Sequence, residues 1–467
     1  MTCEPAVPPE ATPAAPPAVR VLAIADTDSY LKWSAATLNA LPRSWQSAQL
    51  LIENPVMPSA AQIRAASKRR VEVLSHAAVI RRIRRERPDL ILLACTGPVV
   101  STLTAQRVFW GRARPVLVTG LPGISVPATR RAVIARAACD LFLLHSKREV
   151  AEFTEIGARY APRLRFGLAA LPFLPPRTSK GTAAAQLGNH LVFAAQAKVP
   201  VARGDREHIV LALVEAGSSV IKLRAGSEEQ QTHRETWSYP EIMEDLVARR
   251  RLSAGAVGFI GGSMHDALRT ARGLATVSST AALEAMAMDR PTLIISDFGV
   301  SAEMINLVFE GSGCLGTLDD LRHGRLCHPT PEWLEANYFH RAEDNDWLVR
   351  LRELLAARSV GQLPGRPRLT ASLRWRVRRR LRLTIPAGVW RRLRPLHALL
   401  LSRSRRGQRP LSRSPLEVDA RPPGHRARGP LHDHPAVPAP TVLPGAPPDA
   451  HQQRQSANRP VPSDQDR

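Results

Sequence analysis

Short apolar runs alternate along this chain with segments of helical spacing, and they do so in two successive rounds. That alternation is the signature of parallel strands joined by crossover helices, and it restricts the chain to an α/β class. The first round opens with VRVLAIAD (Val19–Asp26), an apolar run ending in an acid, followed by a helix over Tyr30–Ala40. QLLIEN (Gln49–Asn54), PDLILLACTG (Pro88–Gly97), RPVLVTGLPG (Arg114–Gly123) and CDLFLLHS (Cys139–Ser146) read as further strands. Ser59–Arg87 has helical spacing throughout, and KREVAEFTEIG (Lys147–Gly157) predicts a helix. A polar stretch with Thr178, Ser179, Lys180 and Gly181 interrupts the pattern as a linker would.

The second round restarts at NHLVFAAQ (Asn189–Gln196) with a helix over Arg206–Ala216. SSVIKLRAG (Ser218–Gly226), AVGFIGG (Ala256–Gly262), LATVSS (Leu274–Ser279) and RPTLIISD (Arg290–Asp297) are its other strands. Helices are expected at Ser263–Ala271, where Ser263 is a natural N-cap, and at Thr280–Met288, Ala302–Glu310 and Asn345–Ala357. The fold class predicted is two Rossmann-like doubly wound lobes, residues 19–180 and 181–362. They are preceded by a Pro/Ala-rich leader (1–18) and followed by a basic segment (363–406) and a Pro-rich tail (407–467). The leader has neither a basic n-region nor an apolar core, so it does not read as a signal peptide.

Charge is uneven. The chain carries a formal +24, of which residues 366–467, with 22 Arg, no Lys and 6 acids, contribute +16. The two rounds are therefore only mildly basic, and the tail is the strongly basic part. Ala371–Arg406 intersperses Trp375, Leu381, Trp390 and Leu393 among Arg residues, a composition that suits an anionic membrane surface. No recognition motif accompanies the charge, which argues against nucleic acid as partner. The 5 Cys are scattered without a CxxC pair, which argues against a disulfide framework or zinc site and for a cytoplasmic setting.

The richest local signal is VSSTAALEAMAMDRPTLIIS (Val277–Ser296). A strand ends at Val277, and Ser278, Ser279 and Thr280 turn it into a helix whose free N–H groups and hydroxyls could hold an anion. Glu284, one turn on, could face the same cleft and accept hydrogen bonds from a ribose. A plain capped helix start explains the same residues equally well.

SSTAALEAMAMDRPTLI resembles the donor-binding element of GT-B glycosyltransferases and of UDP-sugar 2-epimerase relatives. That pattern is a Ser/Thr pair, a helical Glu, and Gly-x-Pro before the next strand; Asp289 stands here where the Gly is usual. The order of pieces is also similar to capsule-type transferases for Kdo or sialic acid, with VIKLRAG (Val220–Gly226) where VxKLHP is expected. Lys222 is kept, while Arg224 and Ala225 replace His and Pro. The stretch from Val19 to Ala357, with IADTDSYLKW (Ile24–Trp33), resembles an actinobacterial group of glycosyltransferase-like proteins.

The resemblance implies transfer of a sugar from a CMP- or UDP-linked donor to a cell-surface glycan or lipid-linked acceptor, at the inner face of the membrane. Gln196, Lys222, Arg224, His233, Ser278, Ser279, Thr280 and Glu284 would bind the donor. Sugar transfer also needs a base for the acceptor hydroxyl. Asp26 and Asp28 stand just past the first strand, where open α/β sheets place their chemistry, although both could simply cap the next helix. The GLPGIS turn, with Gly120 and Gly123, would lie near the acceptor, and His145, Ser146 and Glu149 are further cleft candidates. Asp319-Asp320 and Asp344-x-Asp346 do not form a convincing metal-binding pair, so neither a metal nor a cofactor is expected. A 2-epimerase and a non-enzymatic two-lobed scaffold remain as other readings of the same residues.

Overall fold

The computed structural model describes residues 18–54, 57–111, 113–172, 174, 188–223 and 237–363. Arg224, His233, the basic segment Ala371–Arg406 and the Pro-rich tail lie outside the described residues, as does the leader up to residue 17.

The first lobe runs β1 (Arg20–Ala25), α1 (Asp28–Asn39), β2 (Gln46–Ile52), α2 (Ala60–Ala66), β3 (Val71–Leu74), α3 (His76–Glu86) and β4 (Leu90–Ala94). It continues with α4 (Gly97–Thr104), β5 (Val116–Gly120), α5 (Arg130–Arg136), β6 (Leu141–Leu144), α6 (Lys147–Tyr160) and β7 (Arg165–Leu168). Its seven strands are all parallel, in the order β3-β2-β1-β4-β5-β6-β7. The central strands are apolar on both faces because helices cover both. Val79, Ile83, Val100, Leu103, Val133 and Phe153 bring α3 to α6 onto one face. Leu31, Trp33 and Ala66 bring α1 and α2 onto the other.

The second lobe runs β8 (Leu191–Ala194), α7 (Arg203–Glu215), β9 (Ser219–Lys222), α8 (Tyr239–Ala248), β10 (Gly258–Ile260) and α9 (Met264–Arg269). β11 (Gly273–Thr276), α10 (Ala281–Ala287), β12 (Thr292–Ile295), β13 (Leu315–Gly316), α11 (Leu318–Arg322), α12 (Pro331–Ala336) and α13 (Trp347–Ser359) follow. The six strands are parallel in the order β10-β9-β8-β11-β12-β13. This is the two-lobed, doubly wound α/β architecture that the alternation predicts.

Three local expectations are corrected. Ser59–Arg87 is not one helical stretch: Val71–Leu74 pairs with β2 in register Gln49↔Val71. The buried Ser67 hydroxyl donates to Gln49 Oε1 at 2.6 Å, which turns the chain out of α2 and onto the sheet edge. Ala302–Glu310 forms only a 3₁₀ turn at Leu307–Phe309. There Asn306 accepts from Ser301 N–H and donates to the Gly299 carbonyl, so its side chain closes a loop in place of helical hydrogen bonds. Finally, α13, within the stretch 181–362 assigned to the second lobe, packs on the first. Trp347, Leu351 and Leu354 join the core beneath β5 to β7. Asp346 accepts from Leu168 N–H at 2.8 Å, and Arg358 reaches Asp89 at 2.9 Å.

Candidate active site

Each sheet reverses its strand order once, and ligands of open α/β sheets bind at the carboxyl end of that switch point. In the second lobe the reversal falls between β8 and β11. Gln196, two residues beyond β8, donates from Nε2 to the Ser278 carbonyl at 2.7 Å, bridging the crevice. That bond fixes the amide orientation and leaves Gln196 Oε1 buried without a hydrogen-bond partner among the described residues. A buried orphan acceptor is uncommon in folded proteins.

The SST turn lies beside it with three different roles. Ser278 is buried and donates to the Ile305 carbonyl at 2.7 Å, so it holds its own lobe together instead of facing the cleft. Half-buried Ser279 accepts from Ala281 N–H at 3.2 Å. Thr280 is the N-cap residue, makes no side-chain cap hydrogen bond, and is exposed. The helix is shorter than its sequence suggests, with 7 residues, so its dipole is correspondingly small. Ala281, Ala282 and Ala285 are fully packed against the sheet. Glu284 is half-buried, and its pKa is raised by burial and drawn back by the Lys222 ammonium nearby. Lys222, the last residue of β9, is buried and donates to the Leu223 carbonyl at 2.8 Å. Asp289 has φ +54, a left-handed conformation that Gly adopts freely and Asp tolerates. This accounts physically for an Asp where the resembling pattern has Gly.

Sequence reasoning did not identify Arg206. Its buried guanidinium donates to the carbonyls of Gln196 and Ala197, Pro200 and Trp237, clamping the loop that carries Gln196.

In the first lobe the reversal falls between β1 and β4. Asp26 follows β1, and its Oδ2 accepts from both Thr96 N–H at 2.8 Å and Thr96 Oγ1 at 2.6 Å across the switch point. Oδ1 is buried and has no hydrogen-bond partner among the described residues. Burial raises the Asp26 pKa to about 6, against the opposing pull of the Thr96 bonds and the Arg136 charge. Arg136, also buried, donates to Tyr30 Oη at 2.9 Å and to the Cys95 carbonyl at 3.1 Å. Asp26 does not cap α1. Thr27 does, accepting from Tyr30 N–H, while Asp28 pairs with Lys32 at 3.0 Å and keeps Oδ1 buried without a partner among the described residues. Thr96 and Arg136 carried no local sequence signal beyond the position of Thr96 directly after a strand.

The GLPGIS turn bridges the lobes. A Cβ at Gly123 would stand 3.7 Å from Thr280 Cγ2, so this turn faces the SST element. Gly120 is different: it ends β5, and a Cβ there would meet the Trp33 ring at 2.2 Å. Its role is to admit Trp33, whose indole donates to His145 Nε2 at 2.8 Å. His145 Nδ1 stands 3.0 Å from the Ala169 carbonyl, so the ring is neutral with its proton on Nδ1; burial lowers its pKa to about 4. Ser146 caps α6. Glu149, fully buried, accepts from Ser125 N–H at 2.8 Å, His145 N–H at 2.9 Å and Tyr338 Oη at 2.7 Å. It thereby ties the turn to the second lobe, and burial raises its pKa to about 7.

The family model described as "Putative glycosyltransferase (DUF6716)" matches residues 21–354. The chain belongs to this family. No curated protein matches it. Among solved structures, this family member is similar to UDP-GlcNAc 2-epimerase from Neisseria meningitidis bound to UDP-GlcNAc, with TM-score 0.46 and 11% identity, over 72% of this chain and 100% of that one. It is similar to UGT89C1 of Arabidopsis thaliana complexed with UDP-L-rhamnose, with TM-score 0.45 and 14% identity, over 73% of this chain and 100% of that one. The S. aureus MnaA–UDP structure gives TM-score 0.44 and 11% identity, over 75% and 99%.

In this DUF6716 chain the late acidic pairs serve as surface ion-pair partners. Asp319 and Asp320 engage Arg325, Asp344 engages Lys147, and Asp346 engages Arg350. No cluster of three His, Cys, Asp or Glu residues suited to a metal ion occurs among the described residues. Among the described residues no helix is long and apolar enough to cross a membrane.

Proposed function

We propose that this family member transfers a sugar from a nucleotide-sugar donor, held at the second-lobe switch point, to an acceptor hydroxyl approaching from the first lobe. The observation that carries the reading is Gln196 Oε1, a buried acceptor without a partner, fixed in orientation at the place where such sheets bind ligands. A base N–H or ribose hydroxyl of the nucleotide would satisfy it. Glu284 would accept from the ribose. Lys222 and the hydroxyls of Ser279 and Thr280 would stabilise the phosphate as it leaves, so that cationic and polar side chains do the work without a metal or cofactor. With a helix of only 7 residues behind the turn, the charge of Lys222 matters more than the dipole. Arg224 and His233 enter as donor contacts only through their place in the sequence after β9. Ser278 acts by fixing the loop.

Asp26 is the proposed base. A pKa of about 6 leaves it mostly ionised at neutral pH yet basic enough to take a proton as the hydroxyl attacks, and its Oδ1 has no competing hydrogen bond. Asp28, whose charge is shared with Lys32, would orient the acceptor. The acceptor is a cell-surface glycan or a lipid-linked precursor, and the donor is UDP- or CMP-linked. Cytoplasmic, membrane-peripheral action follows from that pairing, with the basic segment Ala371–Arg406 as one anchor. The test is to incubate the full chain with UDP-, CMP- and GDP-sugars and follow nucleotide release with and without acceptor extracts. Acceptor-dependent release with one nucleotide supports transfer. Conversion of the donor to its epimer without acceptor would replace transfer with epimerisation. An unaltered donor under all conditions would leave a scaffold.

A further inference from the structure

One helix layer of the first lobe carries almost unopposed positive charge. On α3 the buried residues Val79, Ile80 and Ile83 face the sheet, which turns Arg81, Arg84 and Arg85 outward along one stripe. α3 packs against the 3₁₀ turn Arg107–Phe109, where Arg107 is exposed and Trp110 is 64% exposed. α5, in the same layer, adds exposed Arg130 and Arg131 and Ile134, 43% exposed. From His76 to Ala138 the only acids are Glu86, which pairs with Arg82 and Arg85, and Asp89, which pairs with Arg20 and Arg358. The layer ends at α6, where Glu152 and Glu155 restore a mixed surface.

Local stability explains only part of this distribution. Arg84 and Arg85 lie in the last turn of α3, where cations complement the helix dipole. Arg130 and Arg131 open α5, where the dipole disfavours them. Arg130 lies over the Tyr160 ring at 4.3 Å, which holds its guanidinium at the surface. An external polyanion accounts for all of them. The exposed indole of Trp110 and the exposed Ile134 decide which kind. Trp favours the headgroup level of a bilayer and Ile the acyl boundary, whereas an aliphatic side chain gains little from a phosphodiester backbone.

We infer that the outer face of α3, the Arg107–Trp110 turn and α5 docks on an anionic lipid surface, with Trp110 and Ile134 inserted and the arginines on the headgroups. The inference needs neither the sugar-transfer reading nor the basic segment Ala371–Arg406, and vesicle binding tests it without nucleotide or acceptor.

The experiment is co-sedimentation of the full chain with phosphatidylcholine vesicles with and without phosphatidylglycerol, for wild type, an Arg81→Gln/Arg84→Gln/Arg131→Gln variant and Trp110→Ala. All four positions are exposed, and melting curves check that each variant is folded. Each arginine at such a surface contributes a factor of about 5, so the triple variant should lose about a hundredfold in partitioning to the anionic vesicles. Trp110→Ala should also bind more weakly, with binding in every case falling as salt rises. Unchanged partitioning of both folded variants would overturn the inference and place any binding on the C-terminal segment. Binding of RNA that depends on the three arginines, without vesicle binding, would overturn it in favour of a nucleic-acid surface.

Discussion

Glu149 stores a pH dependence that a single substitution can expose. Its carboxylate is fully buried yet surrounded only by donors, from Ser125, His145 and Tyr338. Those three bonds favour the ionised form, and burial outweighs them, raising the pKa from 4.5 to about 7. An acid with a raised folded pKa stabilises the fold fully below its unfolded pKa and loses that contribution as pH climbs through the folded value. The loss runs from pH 4.5 to about pH 7. A rise of that size is worth about 3 kcal/mol. Asp26 works in the same direction over a lower window, from 3.8 to about 6, while buried His145 opposes both between about 4 and 6.5.

Glu149→Gln isolates the Glu149 share, since the other groups remain in both proteins. The amide cannot accept from all three donors, so at acid pH the variant should be less stable by about 1–3 kcal/mol. Because Gln cannot ionise, the deficit should shrink or reverse as pH approaches 8. The assay is the urea midpoint of wild type and variant across that range. Parallel profiles with a constant gap would show that Glu149 does not titrate in this window and would refute the reasoning.

Gly120→Ala should cost at least about 3 kcal/mol, because its methyl would overlap the Trp33 ring in a core without slack, whereas Gly123→Ala should stay within about 1 kcal/mol; thermal melts of both decide it. Asp289→Val should destabilise by about 1–2 kcal/mol, because a β-branched residue resists the left-handed conformation there, and a melting point equal to wild type would contradict the φ of +54.

The sheets were legible because parallel strands covered on both faces leave apolar runs, and β1, β4, β5, β6, β8 and β12 are of that kind. β3 was hidden because an edge strand need not be apolar: VEVL lies half-exposed between arginine-rich flanks. The return of α13 to the first lobe was illegible for another reason. Its apolar stripe states that it packs, but not on which sheet. At the site, the residues following strands could be named from sequence. Their pairings could not, since Asp26 meets Thr96 across 70 positions and Gln196 meets Ser278 across 82. Arg136 and Arg206 left no signal in the sequence, because burial of an arginine depends on carbonyls gathered by the fold. Ser146 and Glu149 have the spacing of a capping box, yet only Ser146 serves the helix terminus, and Glu149 is turned to Ser125 and Tyr338.

Titration of UDP and CMP into the full chain and its Gln196→Ala variant, by calorimetry, tests the donor site most directly. One of the two nucleotides should bind the wild type, and loss of the orphan carbonyl should weaken it by about tenfold, the value of one hydrogen bond made in a buried crevice. Equal affinity in both proteins would remove the nucleotide from this crevice, and failure of the wild type to bind either would contradict the account at its root.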